Sequence, residues 1–306
     1  MKHAPYKKMN RSRFAKFLTK NRSNRSIGGS LLLFTFLFLL ASVSLFPVIF
    51  MINNAFKPIN ELFIFPPKLF VMQPTTANFS DLFELLANSL VPFLRYFFNT
   101  MVIVLFGSIG HILFASAAAF PLAKFRFPGN AFLSKLIVFS LMFAPAVTAV
   151  PSYVILARLR LVDTYWSSVI PAFAMPLGLF LMKNFMEQVP DALIDAASID
   201  GLDYPGMLRR IIMPAVKPAW ITLFIVSVQT LWGAAGGTFI YTENLKPLAS
   251  MLTQIAGSGI AAGSAGVARI GIVAAASLLM FIVPVVIFII SQSNVLETMV
   301  SSGIKD

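Results

Sequence analysis

The apolar positions of this chain show neither a two-residue alternation nor a narrow helical stripe. They form long, nearly uncharged runs at 30 to 52 and at about 97 to 123, 133 to 156, 166 to 186, 218 to 241 and 268 to 292. A helix rises ~1.5 Å per residue, so about 20 apolar residues cross a hydrocarbon core ~30 Å thick. The pattern therefore predicts an all-α integral membrane protein with six transmembrane helices. The first run follows a basic segment, as a secretory signal would, but a signal's apolar region is only about 7–15 residues long. This run is expected to stay as a permanent span.

Composition agrees with a lipid solvent. The chain is 58% hydrophobic and 12% charged, where soluble domains are roughly 45–50% apolar and about 25% charged. The net charge of +12 does not point to nucleic acid, because nine of the 24 basic residues precede residue 26 and no nucleic-acid-binding module is recognisable. A basic tail beside an apolar run marks the cytoplasmic side. The expected layout is a cytoplasmic tail over 1–29, a six-helix transmembrane domain over 30–292 and a cytoplasmic C-terminal tail over 293–306. Both termini and the connections 124 to 132 and 187 to 217 then lie in the cytoplasm; 53 to 96, 157 to 165 and 242 to 267 lie outside. Lys124 and Arg126 fit this orientation, and Arg158 and Arg160 oppose it. The absence of cysteine excludes disulfides and thiolate chemistry, and two histidines do not furnish a histidine metal cluster.

Two outer segments have distinctive sequence. The first, 53 to 96, carries Pro58, Pro66, Pro67 and Pro74, which bias the chain toward turns and extended backbone, and reads as an ordered cap. The second, GSGIAAGSAG at 257 to 266, reads as a flexible loop or a close-packing stretch. No internal repeat stands out.

The connection 187 to 217 is long for a cytoplasmic loop and is organised. Pro190 suits a first helical position, Asp191 and Asp195 lie near the N-terminus where the helix dipole favours acids, and Gly201 supplies a left-handed stop. A second short helix is expected from Tyr204 to about Ile212, with Arg209 and Arg210 near its end and Pro214 and Pro218 leading into the next span. Ala192, Ala196 and Ala197 give the first helix a face of small side chains, suited to docking.

Asp195-Ala196-Ala197, then Gly201, Ile211 and Met213-Pro214 at matching intervals, resemble the EAA-loop signature of binding-protein-dependent importer permeases. Asp195 stands where that family normally has Glu, which shortens the reach of any salt bridge, and Met213 where it has Leu. Phe56-Lys57-Pro58, Glu61 and Pro66-Pro67, the run Phe120 to Gly129, and Pro151-Ser152-Tyr153 resemble carbohydrate-type permeases of the MalG-like group. The resemblance implies a type I ABC importer permease fold. It implies a complex with a second permease subunit, two cytoplasmic ATPase subunits, an extracytoplasmic solute-binding protein and a carbohydrate substrate, in the cytoplasmic membrane of a bacterium. ATP and Mg would be used by the ATPase subunits, since this chain has no GxxxxGK[ST] to cradle phosphates and is expected to bind no cofactor and catalyse nothing itself. In that complex Asp195 would make a charged contact with an ATPase. Ala196 and Ala197 would allow close packing, Gly201 would set the turn, and Pro214 the angle of re-entry.

Polar groups inside spans are the candidates for lining a translocation path, because hydrocarbon penalises unsatisfied donors and acceptors. Thr148, Tyr153, Gln229, Thr230 and Trp232 are the leading ones, with Trp232 offering a sugar an apolar face and Gln229 a hydrogen-bonding group; Ser140 and His111 also qualify. Taken singly, each is more readily explained by bonding between helices or by interfacial anchoring, and for His111, amid Gly107, Ser108 and Gly110, interhelical packing is the expected role. Pro145, Pro151, Pro171 and Pro176 interrupt the third and fourth spans and allow kinks. An ion-coupled transporter would need an acid within the apolar runs, and they contain none; a non-transporting scaffold would leave the loop without a use.

Overall fold

The computed structural model describes residues 27–62, 64, 66, 68–87, 91–234, 239–260 and 264–303; the basic tail through residue 26, Pro67 and the final three residues lie outside them. Among the described residues the chain is helical and contains no strand. It divides into two units, residues 1–50 and 51–306.

Helix α1 (Ile27–Phe56) contains a 26-residue stretch, Leu31–Phe56, of hydropathy 2.5, sufficient to cross a bilayer. Within it the Ser42 hydroxyl donates to the Phe38 carbonyl at 2.8 Å, the backbone pairing that makes a hydroxyl tolerable in hydrocarbon.

The expected cap follows α1. It contains a single turn, α2 (Ile59–Leu62), and helix α3 (Ala77–Ala87). The Glu61 carboxylate accepts the backbone N–H groups of Met72 and Gln73. The buried Lys57 ammonium donates to the Lys68 carbonyl at 2.7 Å, and the Asn78 amide donates to the carbonyls of Ala55 and Lys57. Backbone groups that prolines leave without ladder partners are thus satisfied by side chains.

Helix α4 (Phe93–Lys124) is the second span and the hub of the larger unit, packing against α7 (Trp166–Phe173), α8 (Pro176–Glu187) and α11 (Lys217–Trp232). Small residues on α4 permit this: a Cβ placed on Gly110 would lie 2.0 Å from Cε1 of Phe173. Lipid offers apolar side chains no less comfort than protein does, so close van der Waals packing carries helix association here.

The third and fourth expected spans are broken, whereas the sixth lies in one continuous helix. The third consists of α5 (Asn130–Ser140) and α6 (Pro145–Arg158), each shorter than a bilayer, with a turn over 141–144. The fourth is α7 and α8, interrupted at Ala174 and Met175. Both breaks fall just before a proline, Pro145 or Pro176, whose preceding residue is held extended. In the fifth, α11 ends at Trp232, and Gly233, Ala234 and 239–241 are not helical; residues 235–238 lie outside the described residues. In segment 257 to 266, read as a flexible loop or a close-packing stretch, the described residues are helical. Gly257 ends up in α12 (Leu248–Ile260) with open space around it, Ser264 begins α13 (Ser264–Gly303), and only 261–263 lie outside the described residues. Helix α13 also passes the expected boundary at 292, because no proline or glycine stop occurs there.

Two apolar clusters form. One joins α4, α7, α11, α12 and α13. The other gathers Ala115, Ala119 and Phe120 of α4 with Met182 and Met186 of α8 and the inner side of the 187–217 connection. At the end of α11, the loop containing Tyr241 and Thr242 is clasped by Asp163, which accepts both backbone N–H groups at 2.8 Å and the Thr242 hydroxyl. Those bonds hold the Asp163 carboxyl below the usual carboxylate range.

Candidate functional site

The 187–217 connection folds as a helix, a turn and a helix. Pro190 occupies the cap position in extended conformation and α9 (Asp191–Ile199) follows. The helix ends in a Schellman motif: Gly201 adopts φ +74°, its N–H donates to Ser198 at 3.2 Å, and the Leu202 N–H donates to Ala197 at 2.9 Å. Asp203 then caps α10 (Tyr204–Ala215), accepting the Gly206 N–H at 3.1 Å.

Helix α10 contains a π-turn, Leu208–Ile212, and meets α11 at 84°. Pro214 and Pro218 lack the N–H groups that would have continued the helical ladder, and Val216 leaves helical geometry between them. The Trp220 indole N–H donates to the Met213 carbonyl at 3.2 Å and secures the inner side of the corner.

The two faces of α9 differ sharply. Ile194 and Ala197 point into the chain's own core, Ala197 being 4% exposed, together with Met207 and Ile212 of α10. Asp195, Ala192 and Ala196 are exposed. Ala197 is thus taken out of the expected docking face: its small side chain lets α9 approach α4 and α8. The outer face instead presents Ile199, 86% exposed at the tip of the turn, and Leu193. The composition of the loop gave no sign of these two, because an apolar residue at such a position reads as core until the helix phase is fixed. Ile211 and Met213 are half-buried against the core, and Pro214 is exposed.

One charged contact ties the loop down. The Lys124 ammonium, at the end of α4, donates to the Val189 carbonyl and to the Asp191 carboxylate, the latter at 2.8 Å. The lysine side chain is 2% exposed and that of Asp191 80%. The hydrogen bond from Lys124 and its charge hold the Asp191 carboxyl below the usual carboxylate range, with a smaller contribution from Arg126.

The path candidates separate. Trp232 is 3% exposed, donates its indole N–H to the Met280 carbonyl at 3.0 Å and meets the Phe97 ring edge-on. Its expected role as a stacking surface is not available, because packing of α4 and α13 encloses the ring. Gln229 and Thr230 lie exposed on α11, the Thr230 hydroxyl donating to Val226 at 2.8 Å. The exposed Tyr153 ring rests against Phe239 at 5.3 Å.

Thr148 lines a cavity of about 290 Å³ with Ser152, Ser167, Ser168 and Leu231. The Ser168 hydroxyl is buried without a hydrogen-bond partner among the described residues. Ser167 and Ser168 belong to this wall but sit beside an aromatic helix start, where nothing in sequence separates them from ordinary packing residues. Ser140 donates to the Ile137 carbonyl at 2.6 Å beside a second, more apolar cavity. His111 bridges helices as expected, with Nδ1 2.7 Å from Ser227 Oγ and Nε2 donating to the Met175 carbonyl at 3.2 Å.

No family model matches the chain. Individual proteins do. A putative ABC transporter permease protein, ORF2 of Caldicellulosiruptor sp. (strain Rt8B.4), is 31% identical over 201 residues, covering 65% of this chain and 71% of that one. The sn-glycerol-3-phosphate transport system permease protein UgpE of Shigella flexneri serotype 5b (strain 8401) is 31% identical over 219 residues, covering 69% and 74%. In three dimensions the chain resembles one chain of a bacterial ABC transporter involved in the import of the acidic polysaccharide alginate. The TM-score is 0.72 at 19% identity, over 90% of this chain and 99% of that one.

Proposed function

This chain belongs to the ABC-transporter permeases, and from that premise we propose that it forms half of the translocation path for a sugar or oligosaccharide and is driven through residues 187–217. It is a permease subunit and not an enzyme, and its place is the bacterial inner membrane. Relatives of this kind do not favour an ion-coupled carrier or a scaffold.

The observation that carries the proposal is the exposed outer face of α9. Asp195, Ala192, Ala196, Leu193 and Ile199 form a projecting surface with one acid, two small side chains and two apolar ones. Its inner face is fixed to the transmembrane core by Ile194 and Ala197. Such a ridge fits a groove on a separate ATPase, which would bind ATP and Mg. Gly201 fixes the turn, and Ile211, Met213 and Pro214 fix the 84° corner by which a push on the ridge reaches α11. A second permease subunit would complete the path, and an extracytoplasmic solute-binding protein would deliver cargo.

The six crossings in this reading are α1, α4, α5 with α6, α7 with α8, α11 and α13, with both termini in the cytoplasm. Gln229 and Thr230 on α11, and Thr148 and Tyr153 on α6, are the surfaces offered to the path. The carbohydrate assignment rests on the MalG-like segments, on the alginate importer as a neighbour in fold, and on the cavity beside Thr148, where Ser152 and Ser168 add hydroxyls to a mostly apolar wall.

The test is co-expression of this chain with candidate ATPase and permease partners. The parent is expected to co-purify with the ATPase and to import a sugar when reconstituted with its binding protein. Asp195→Lys and Gly201→Trp are expected to release the ATPase. Retention of the ATPase by both variants would overturn the assignment of 187–217.

A further inference from the structure

Residues 187–217 are flanked in sequence by α8 and α11, but the most deeply buried charge touching them comes from neither. Lys124 is the last residue of α4. Its side chain is 2% exposed, and its ammonium is spent on the Val189 carbonyl just before α9 and on the Asp191 carboxylate in the first turn of α9. A buried ammonium without such partners would be strongly disfavoured, so the lysine fixes where the start of α9 sits relative to α4.

The next residue grips the second helix of the loop. The Phe125 ring meets Tyr204, the first residue of α10, edge-on at 5.0 Å and rests against Phe120 at 5.3 Å. The chain leaving α4 is itself braced, because the Asn130 amide donates to the carbonyls of Leu122 and Phe125 at 3.1 and 2.8 Å. Beneath these contacts Ala115, Ala119 and Phe120 of α4 lie in one apolar cluster with Ile194, Ala197, Met207 and Ile212 of the loop. The two short helices therefore rest on the end of the second span, held by an ionic contact at one side and a ring contact at the other. The covalent joint to α11 is a corner between two prolines, where Val216 leaves helical geometry and the Trp220 indole N–H donates back to Met213. A displaced α9 therefore bears directly on α4 as well as on that corner.

We propose that Lys124 is a positioning residue through which displacement of α9 enters α4 directly, so that the second span moves with the loop as one body. The inference rests on the assignment of 187–217 as the ATPase contact, and its test separates the two.

In the full reconstituted complex, Lys124→Met keeps the apolar stem and removes the charge, while Lys124→Arg keeps the charge. Lys124→Met is expected to retain the ATPase on co-purification and to keep basal hydrolysis within about twofold of the parent, while transport per ATP falls about tenfold or more. Lys124→Arg is expected to recover most of it, and the exchange Lys124→Asp with Asp191→Lys part of it. Unchanged transport per ATP in Lys124→Met overturns the inference. So does release of the ATPase by Lys124→Met, which would make the contact one of assembly. Failure of the underlying assignment shows differently, as an ATPase retained by Asp195→Lys.

A readout independent of activity uses the absence of native cysteine. Spin labels at Phe127→Cys and Ser198→Cys, both exposed positions, report whether the end of α4 and α9 keep their separation between resting and nucleotide-trapped complexes. The separation is expected to be preserved in the parent and to broaden in Lys124→Met. A separation that already changes in the parent overturns the inference.

Discussion

The His111 imidazole occupies the space where a side chain at position 178 would be: a Cβ on Gly178 would stand 2.1 Å from Nε2. The ring is held by Ser227 of α11 and by the carbonyl of Met175 at the break before α8, so it cannot swing away without giving up both contacts. Gly178→Ala is expected to destabilise the protein by about 1–3 kcal/mol through overpacking. Thermal unfolding of the purified protein measures this. The same substitution should cost less in a His111→Ala background, since the two residues share one space.

Gly201 tests backbone conformation alone. A Cβ there meets nothing within 4 Å, yet φ is +74°. Gly201→Ala is therefore expected to cost about 1–2 kcal/mol, and Gly201→Asn less, because Asn tolerates the left-handed region. Hydrogen exchange at the amides of residues 201 and 202, which close the end of α9, should rise from the parent to Gly201→Asn and further in Gly201→Ala.

Trp232 and Gln229 should separate stability from transport. Trp232→Ala removes a buried ring and leaves the Met280 carbonyl without its donor, an expected loss of about 3–5 kcal/mol. Gln229→Ala, on the exposed face of α11, should leave the unfolding midpoint unchanged and raise the KM for cargo. An unfolding curve and an uptake assay on both variants distinguish the roles. A Trp232→Phe variant with normal stability and lost uptake would restore the tryptophan to the path.

The Asp191 carboxylate is depressed by the hydrogen bond and charge of Lys124. A carboxyl with a folded pKa below its unfolded value, here 3.8, stabilises fully above that value and loses the effect as pH falls through the folded pKa. The tether is expected to be intact at neutral pH. Unfolding midpoints of the parent and Asp191→Asn should differ there and converge below the ordinary carboxylate range. A difference that persists at the acid end would place the effect of Asp191→Asn elsewhere.

Much of this protein was legible before folding. Apolar runs longer than a bilayer can only become spans, because no other structure pairs every backbone group in hydrocarbon; α1 and α4 follow from that alone. The loop was equally plain. Pro190 and Gly201 act through their own backbone, so the start of α9 and its left-handed end needed no tertiary information.

Packing decided the rest. Whether Ala197 or Ala196 faces outward depends on which side of α9 meets α4, and a nine-residue helix does not announce its phase. In sequence Trp232 offers a sugar surface, because sequence shows a polar handle in a span but not that Met280 and Phe97 enclose it. Lys124 read as one more cytoplasmic cation. Only the fold brings its ammonium to Val189 and Asp191, 65 and 67 residues away along the chain. Local chemistry fixed the elements; the partners of a side chain that reaches across the chain are set by the approach of whole helices, which depends on small residues and shape at many distant positions at once.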